Sequence, residues 1–240
     1  MALPISPHLA RYATSHNDQP PLHLGTRYNT SGQFLPEPGN TVVCHLEPGS
    51  ETQAALIDVR NRFLDRADSD RLAFTPVESL HMTLFQGVIE GRRRLPFWPS
   101  EMALDTPIDT MTARYAERLR DFAGGPPFKV AVVDAVPTGL IVEGATAADR
   151  HALAVWRDRL SDAFGYRHPD HDSYIFHITF TYPVRWLDED ALPSWQELLE
   201  GVVAETRHRA PVLDLQPPAF CRFADMNWFG ELVQLPVQER

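Results

Sequence analysis

Two short stretches, LHMTL at 80–84 and FHITF at 176–180, each set a histidine and a threonine two positions apart inside an otherwise apolar run. Along an extended strand, residues i and i+2 face the same side. His81 and Thr83 therefore share one face, as do His177 and Thr179, while Leu80, Met82 and Leu84, like Phe176, Ile178 and Phe180, point the other way. A single motif of this kind carries little information. With 10 His and 25 Ser or Thr among 240 residues, chance supplies about one H-x-[ST] match. Three occur, and the third, HDS at 171–173, lies in a turn-like loop without apolar neighbours and is the expected accident.

The other two sit at matched places in a repeated unit. A β-rich run, TVVCHLE at 41–47, follows the turn signal PGN. A helical pattern then begins at Ser50, with Ala54, Ile57, Phe63 and Leu64 near helical spacing. A short strand, RLAFTP, leads through Pro76 to the first motif. The order then returns: GLIVEG at 139–144 reads as a strand, 145–164 as an amphipathic helix entered at Thr146, and 174–184 as a strand stopped by Pro183. His81 follows Ala54 by 27 residues and His177 follows Ala152 by 25, which points to internal duplication of one supersecondary unit.

Further helices are predicted over 106–122 and 190–207, and further strands at FKVAVVDAVP, PVLDLQ and PAFCRFADMNWF. Strands often follow one another directly, which favours an α+β class over a doubly wound parallel sheet. The expected architecture is a single bilobal domain with pseudo-twofold internal duplication. Mainly antiparallel sheets line a central cleft, and helices cover the outer faces. Residues 1–40 form an N-terminal arm rich in Pro, Gly, Asn, Ser and Thr, 41–125 the first repeat and 126–240 the second.

Charge and hydropathy narrow the partners. A net charge of -10 works against tight binding of long nucleic acid, which depends on many Lys and Arg contacts to phosphate. A small anion is still compatible, because a few local arginines can outweigh a distant negative field. The one dense basic cluster, GRRR at 91–94, reads as a solvated loop. The stretch MALPISPHLARY lacks a basic leader region and is interrupted by Pro4 and Pro7, and no run of 18 apolar residues occurs. No membrane association is expected, and a cytoplasmic monomer is. Cys44 and Cys221, each in an apolar setting, read as reduced buried thiols.

Two imidazoles facing one pocket suit phosphodiester chemistry. One neutral ring can take a proton from the nucleophile while a protonated one gives its proton to the leaving oxygen. Two hydroxyls can donate to the non-bridging phosphate oxygens as charge gathers there, and no metal or other cofactor is required. The paired motifs LHMTL and FHITF resemble the 2H phosphoesterase superfamily, which includes RNA ligase/cyclic phosphodiesterase proteins. The segment GTRYNTSGQFLPEPGNTVVCHL, 25–46, looks like the opening of an uncharacterised bacterial and fungal branch of it. The resemblance implies a two-lobed α+β fold, with His81, Thr83, His177 and Thr179 as the catalytic four. It also implies hydrolysis or transfer at a cyclic phosphate or 2'-5' type linkage in a nucleotide or short RNA-derived substrate. A module that holds a nucleotide or phosphate in the same cleft without turning it over is the alternative.

Tyr28, Tyr182 and Arg222 are expected to bind substrate, the tyrosines by stacking and the arginine at phosphate. Tyr174, Trp228 and Phe85 are weaker stacking candidates. The loop HPDHD, 168–172, carries metal-capable side chains but would need a further ligand from the fold. Cys44 and His45 are neighbours on a strand and so point apart, against a nucleophile pair.

Overall fold

The computed structural model describes residues 4–238, and three of the α-helices described there begin at a side-chain cap, Ser6, Ser50 or Thr146. In chain order the elements are α1 (Pro7–Ala10), β1 (Gly39–His45), α2 (Glu51–Leu64), β2 (Leu72–Phe74), β3 (His81–Ile89), α3 (Ile108–Arg120) and β4 (Val130–Val136). They continue with β5 (Gly139–Gly144), α4 (Ala147–Phe164), β6 (Phe176–Thr179), β7 (Thr181–Pro183), α5 (Leu192–Arg209), β8 (Ala219–Phe223) and β9 (Gly230–Gln234). The Ser50 side chain accepts from Gln53 N at the start of α2. Thr146 and Asp149 form a reciprocal capping box on α4, which closes at Gly165 with φ of 77°.

Seven strands form one sheet in the order β4-β5-β6-β3-β1-β8-β9, and every neighbouring pair is antiparallel. The fold is α+β. The two copies of the repeat meet at its centre, where β3 pairs with β6 and Met82 lies opposite Ile178. These are the middle residues of the two H-x-T motifs. An antiparallel register through that pair sets His81 opposite Thr179 and Thr83 opposite His177. The pseudo-twofold expected from the repeat thus runs through the site itself, and the sheets of the two halves are continuous.

One face of the sheet carries the main core. Val42, Met82, Leu84, Leu140 and Ile178 pack there with Phe63 of α2, Trp156 and Leu160 of α4, and Trp195 of α5. Met82 and Ile178 are fully buried, which contributes roughly 1.5–3 kcal/mol each. A bulge marks β3: Val42 opposes Phe85 while the next residue, Val43, opposes Thr83, so Leu84 is the extra residue. Its carbonyl accepts instead from Arg157 Nη1 of α4 at 2.8 Å, and that buried guanidinium stacks on the Tyr174 ring at 3.9 Å.

The long strand expected over 174–184 is broken at Phe180. Its second part, β7, leaves the main sheet and pairs with β2. Thr75 braces the break: its N–H donates to Phe180 O, and its hydroxyl donates to the Thr179 and Phe180 carbonyls. PVLDLQ makes one bridge, Leu46 to Leu215, and no strand, whereas β9 is an edge strand that the apolar pattern did not mark. Between residues 4 and 38 the chain holds α1, a short helical turn at Thr14–His16 and a few isolated bridges, and is otherwise irregular. No described helix is long and apolar enough to cross a membrane.

Candidate active site

Because β3 and β6 are central and both turn Met82 and Ile178 into the core, their odd-numbered residues face the opposite side. There His81, Thr83, His177 and Thr179 line one cavity of about 270 Å³. The arm and the loop between β8 and β9 complete its walls, through His23 and Arg27 on one side and Met226 and Phe229 on the other. Ser79 Oγ donates to the Met226 carbonyl at 2.7 Å, so the β8–β9 loop is tied to the entrance of β3.

The two histidines are held in the same way. His81 Nδ1 donates to the Ser79 carbonyl at 2.7 Å, and His177 Nδ1 donates to the Ile175 carbonyl at 3.1 Å. Each imidazole thus bonds the carbonyl two residues before it. That bond fixes the Nδ1–H tautomer and leaves each Nε2 lone pair without a protein partner among the described residues. The Thr83 and Thr179 hydroxyls likewise make no hydrogen bond within the described chain, so both are available to a ligand.

Burial pushes the His81 pKa down to about 3; the neighbouring His45 and His177 add to the effect, and the bond to Ser79 opposes it. His45 stands edge-on at 6.1 Å between ring centroids, and Phe229 packs at 4.2 Å. Burial also lowers His177, opposed by its bond to Ile175. Both rings are therefore neutral at pH 7, and His81 is the harder of the two to protonate.

Gln86 supplies a further donor. Arg92 Nη1 donates to its Oε1 at 2.9 Å, which orients the amide so that its NH₂ is left for the cavity. The Arg92 Nε and Nη2 groups are buried with no hydrogen-bond partner among the described residues and add positive potential behind Gln86. Arg27 lies in a pair with Glu37 at 2.6 Å, its guanidinium 5.5 Å from the Tyr182 ring centre. With Arg27 nearby, and burial as the larger cause, His23 falls to about 4.

Of the three residues expected to bind substrate, the cavity includes Tyr182 and neither Tyr28 nor Arg222. Tyr28 is 1% exposed, donates its hydroxyl to the Pro183 carbonyl at 2.9 Å, and packs beneath Tyr182 at 5.5 Å. The arm does fold over the cleft, but it presents the preceding residue, Arg27. Arg222 is exposed on β8, between Cys221 and Phe223, which are buried. Phe85 lies on the core side against Phe164 at 5.1 Å. Trp228 is 59% exposed beside Phe229.

In the loop at 168–172 the side chains are already engaged: His168 Nε2 donates to the Gln86 carbonyl at 2.8 Å, and His171 Nε2 bonds Asp158 at 3.0 Å. No group of three His, Cys, Asp or Glu side chains among the described residues is placed to hold a metal ion. Cys44 and Cys221 are free and buried, as their settings suggested.

Residues 27–141 match the family model 2H-phosphodiest, described as a domain of unknown function. The matched span holds the first H-x-T motif and ends before the second. The whole fold is similar to the crystal structure of a conserved protein of unknown function from Agrobacterium tumefaciens. That protein is 53% identical, with a TM-score of 0.95, over 96% of this chain and 99% of that one. No curated protein matches the chain.

Proposed function

Because the chain belongs to the 2H phosphoesterase superfamily, we propose that it is a metal-independent phosphodiesterase acting on a small phosphorylated molecule. The scissile bond is a cyclic phosphate or a 2'-5' type linkage of a nucleotide or short RNA-derived substrate. One observation carries this reading. Two H-x-T motifs meet on a single antiparallel pair, with both imidazoles pinned at Nδ1 and both Nε2 atoms facing one cavity.

In this mechanism His81, the ring more firmly held neutral, is the general base and takes a proton from the attacking water. His177 is the general acid. The bound phosphate is anionic, and a neighbouring negative charge raises an imidazole pKa, so substrate brings His177 toward the protonated form. Its proton passes to the leaving oxygen as the phosphorus–oxygen bond breaks. The hydroxyls of Thr83 and Thr179 and the Gln86 amide donate to the non-bridging oxygens, where charge accumulates in the transition state.

The test is a panel of 2',3'-cyclic nucleotides and 2'-5' dinucleotides, assayed with the wild type and with His81→Ala and His177→Ala. Each substitution is expected to lower kcat by about 10²- to 10⁴-fold. Turnover that survives either change nearly intact refutes the assignment. A non-catalytic phosphate-binding module is the second reading, favoured by one observation: a ring with a pKa near 3, as His81 has, is a weak proton acceptor at neutral pH. Soaking a crystal with a 2',3'-cyclic nucleotide separates the two, since intact ligand between the histidines supports binding alone and opened product supports turnover.

A further inference from the structure

His177, Thr179 and Tyr182 line a second cavity as well as the first, one of about 290 Å³. The first cavity reaches from β6 across β3, β1 and β8, while the second reaches the other way, across β5 to the β4–β5 turn. The second H-x-T motif is therefore the ridge between two chambers. His81 and Thr83 border only the first, and His177 borders both.

The outer wall of the second chamber is the N-terminal arm, and it is built rather than loosely laid. Leu9 and Ala13 are fully buried, Leu187 N donates to the Tyr12 carbonyl at 2.8 Å, and Thr14 N donates back to Leu187 O at 2.9 Å. The Tyr12 hydroxyl meets Thr138 Oγ1 at 2.8 Å and closes the arm onto the β4–β5 turn. Val136, Ile141 and Ile175 offer an apolar floor. At the rim His8 is held by Asp134 at 2.7 Å, but no described carboxylate pairs with Arg11.

We propose that the second chamber is the leaving-group subsite, and that the substrate is a linear phosphodiester with an organic group on each side of phosphorus. The group in the second chamber carries an additional anionic substituent, which Arg11 meets. This rests on the phosphodiesterase reading above and narrows it, since the cyclic phosphate of a mononucleoside leaves one chamber empty. The step balances: water attacks phosphorus from the His81 side and loses its proton to His81 Nε2. The bond to the oxygen in the second chamber breaks, and that oxygen takes a proton from His177, the one histidine bordering both spaces.

The experiment compares kcat/KM for a 2'-5' dinucleotide with a terminal phosphate, the same dinucleotide without it, and a nucleoside 2',3'-cyclic phosphate. Wild type, Ile141→Trp and Arg11→Ala are assayed, with melting curves showing that each variant is folded. The wild type is expected to favour the linear substrates. Ile141→Trp, which fills the second chamber, should lower the linear-to-cyclic ratio by at least about 10-fold. Arg11→Ala should raise KM about 10-fold for the phosphorylated dinucleotide only, as expected for loss of one charge-assisted contact. Linear turnover that neither folded variant alters overturns the subsite and leaves the phosphodiesterase reading standing. No turnover of any of the three by the wild type overturns both.

Discussion

Replacing Thr179 by valine separates catalysis from stability. The Thr179 hydroxyl makes no hydrogen bond inside the described chain. Its carbonyl accepts from Thr75 Oγ1 at 3.2 Å and its backbone pairs with Gly139, and both are main-chain interactions that valine keeps. Valine also keeps the β-branch and the strand preference. The expected loss of stability is therefore within about 0.5 kcal/mol, or about 2 °C in Tm for a chain of this size. The transition state is another matter, because one donor to a developing oxyanion is worth about 10²- to 10³-fold in kcat. Charge spread over the phosphoryl oxygens is shared with Thr83 and Gln86, so the lower end applies, a loss of about 10²-fold or ~2.7 kcal/mol. Steady-state kinetics beside thermal melts measure both. A rate within threefold of wild type in a folded variant refutes the donor role, and a Tm loss of several degrees shows that the hydroxyl is structural. By the pseudo-twofold, Thr83→Val should behave alike.

Acid should destabilise the fold. His81 sits at about 3, His23 at about 4 and His168 at about 4, so the unfolded chain binds protons below pH 6.5 that the native chain refuses until about pH 4. Stability is then complete above about pH 6.5 and falls by up to ~1.4 kcal/mol per pH unit per group between pH 6.5 and 4; urea melts at pH 7, 5.5 and 4.5 that coincide refute this. Ile178→Ala empties a fully buried site at the centre of the sheet and should cost about 2–5 kcal/mol by denaturant melt, whereas Met82→Leu should cost less than about 1.5 kcal/mol. Gln86→Glu sets a carboxylate where the amide faces phosphate; kcat should fall and KM should rise, and an unchanged kcat/KM removes Gln86 from the site.

What the sequence makes legible here is local. Ser50 and Thr146 mark helix starts because capping uses neighbours in the chain, and His81, Thr83, His177 and Thr179 share a face because strand alternation does too. Features decided by distant partners are hidden. The break at Phe180 is set by β2 and Thr75, over a hundred residues away. Gln86 reaches the cavity because the bulge at Leu84 shifts the alternation by one, and no residue pattern announces that shift. Arg27 and His23 belong to an arm without periodicity, where the direction of each side chain is fixed by contacts such as Tyr28 against Tyr182 and Phe34. β9 escaped because Glu231 and Leu232 are both exposed, so this edge strand shows no alternation.

The pairing of Met82 with Ile178 also acts as a vernier on the chemistry. Sliding either strand by one residue would drive an imidazole into the apolar layer and lift a thioether or a sec-butyl group into the cleft, so the error is lethal twice over. Alignment of the reacting groups is thus policed by hydrophobic packing on the far side of the sheet. A lineage descended from this chain is free to rework loops, arm and rim for new substrates, while the distance between its two proton carriers is kept by residues that never touch a ligand.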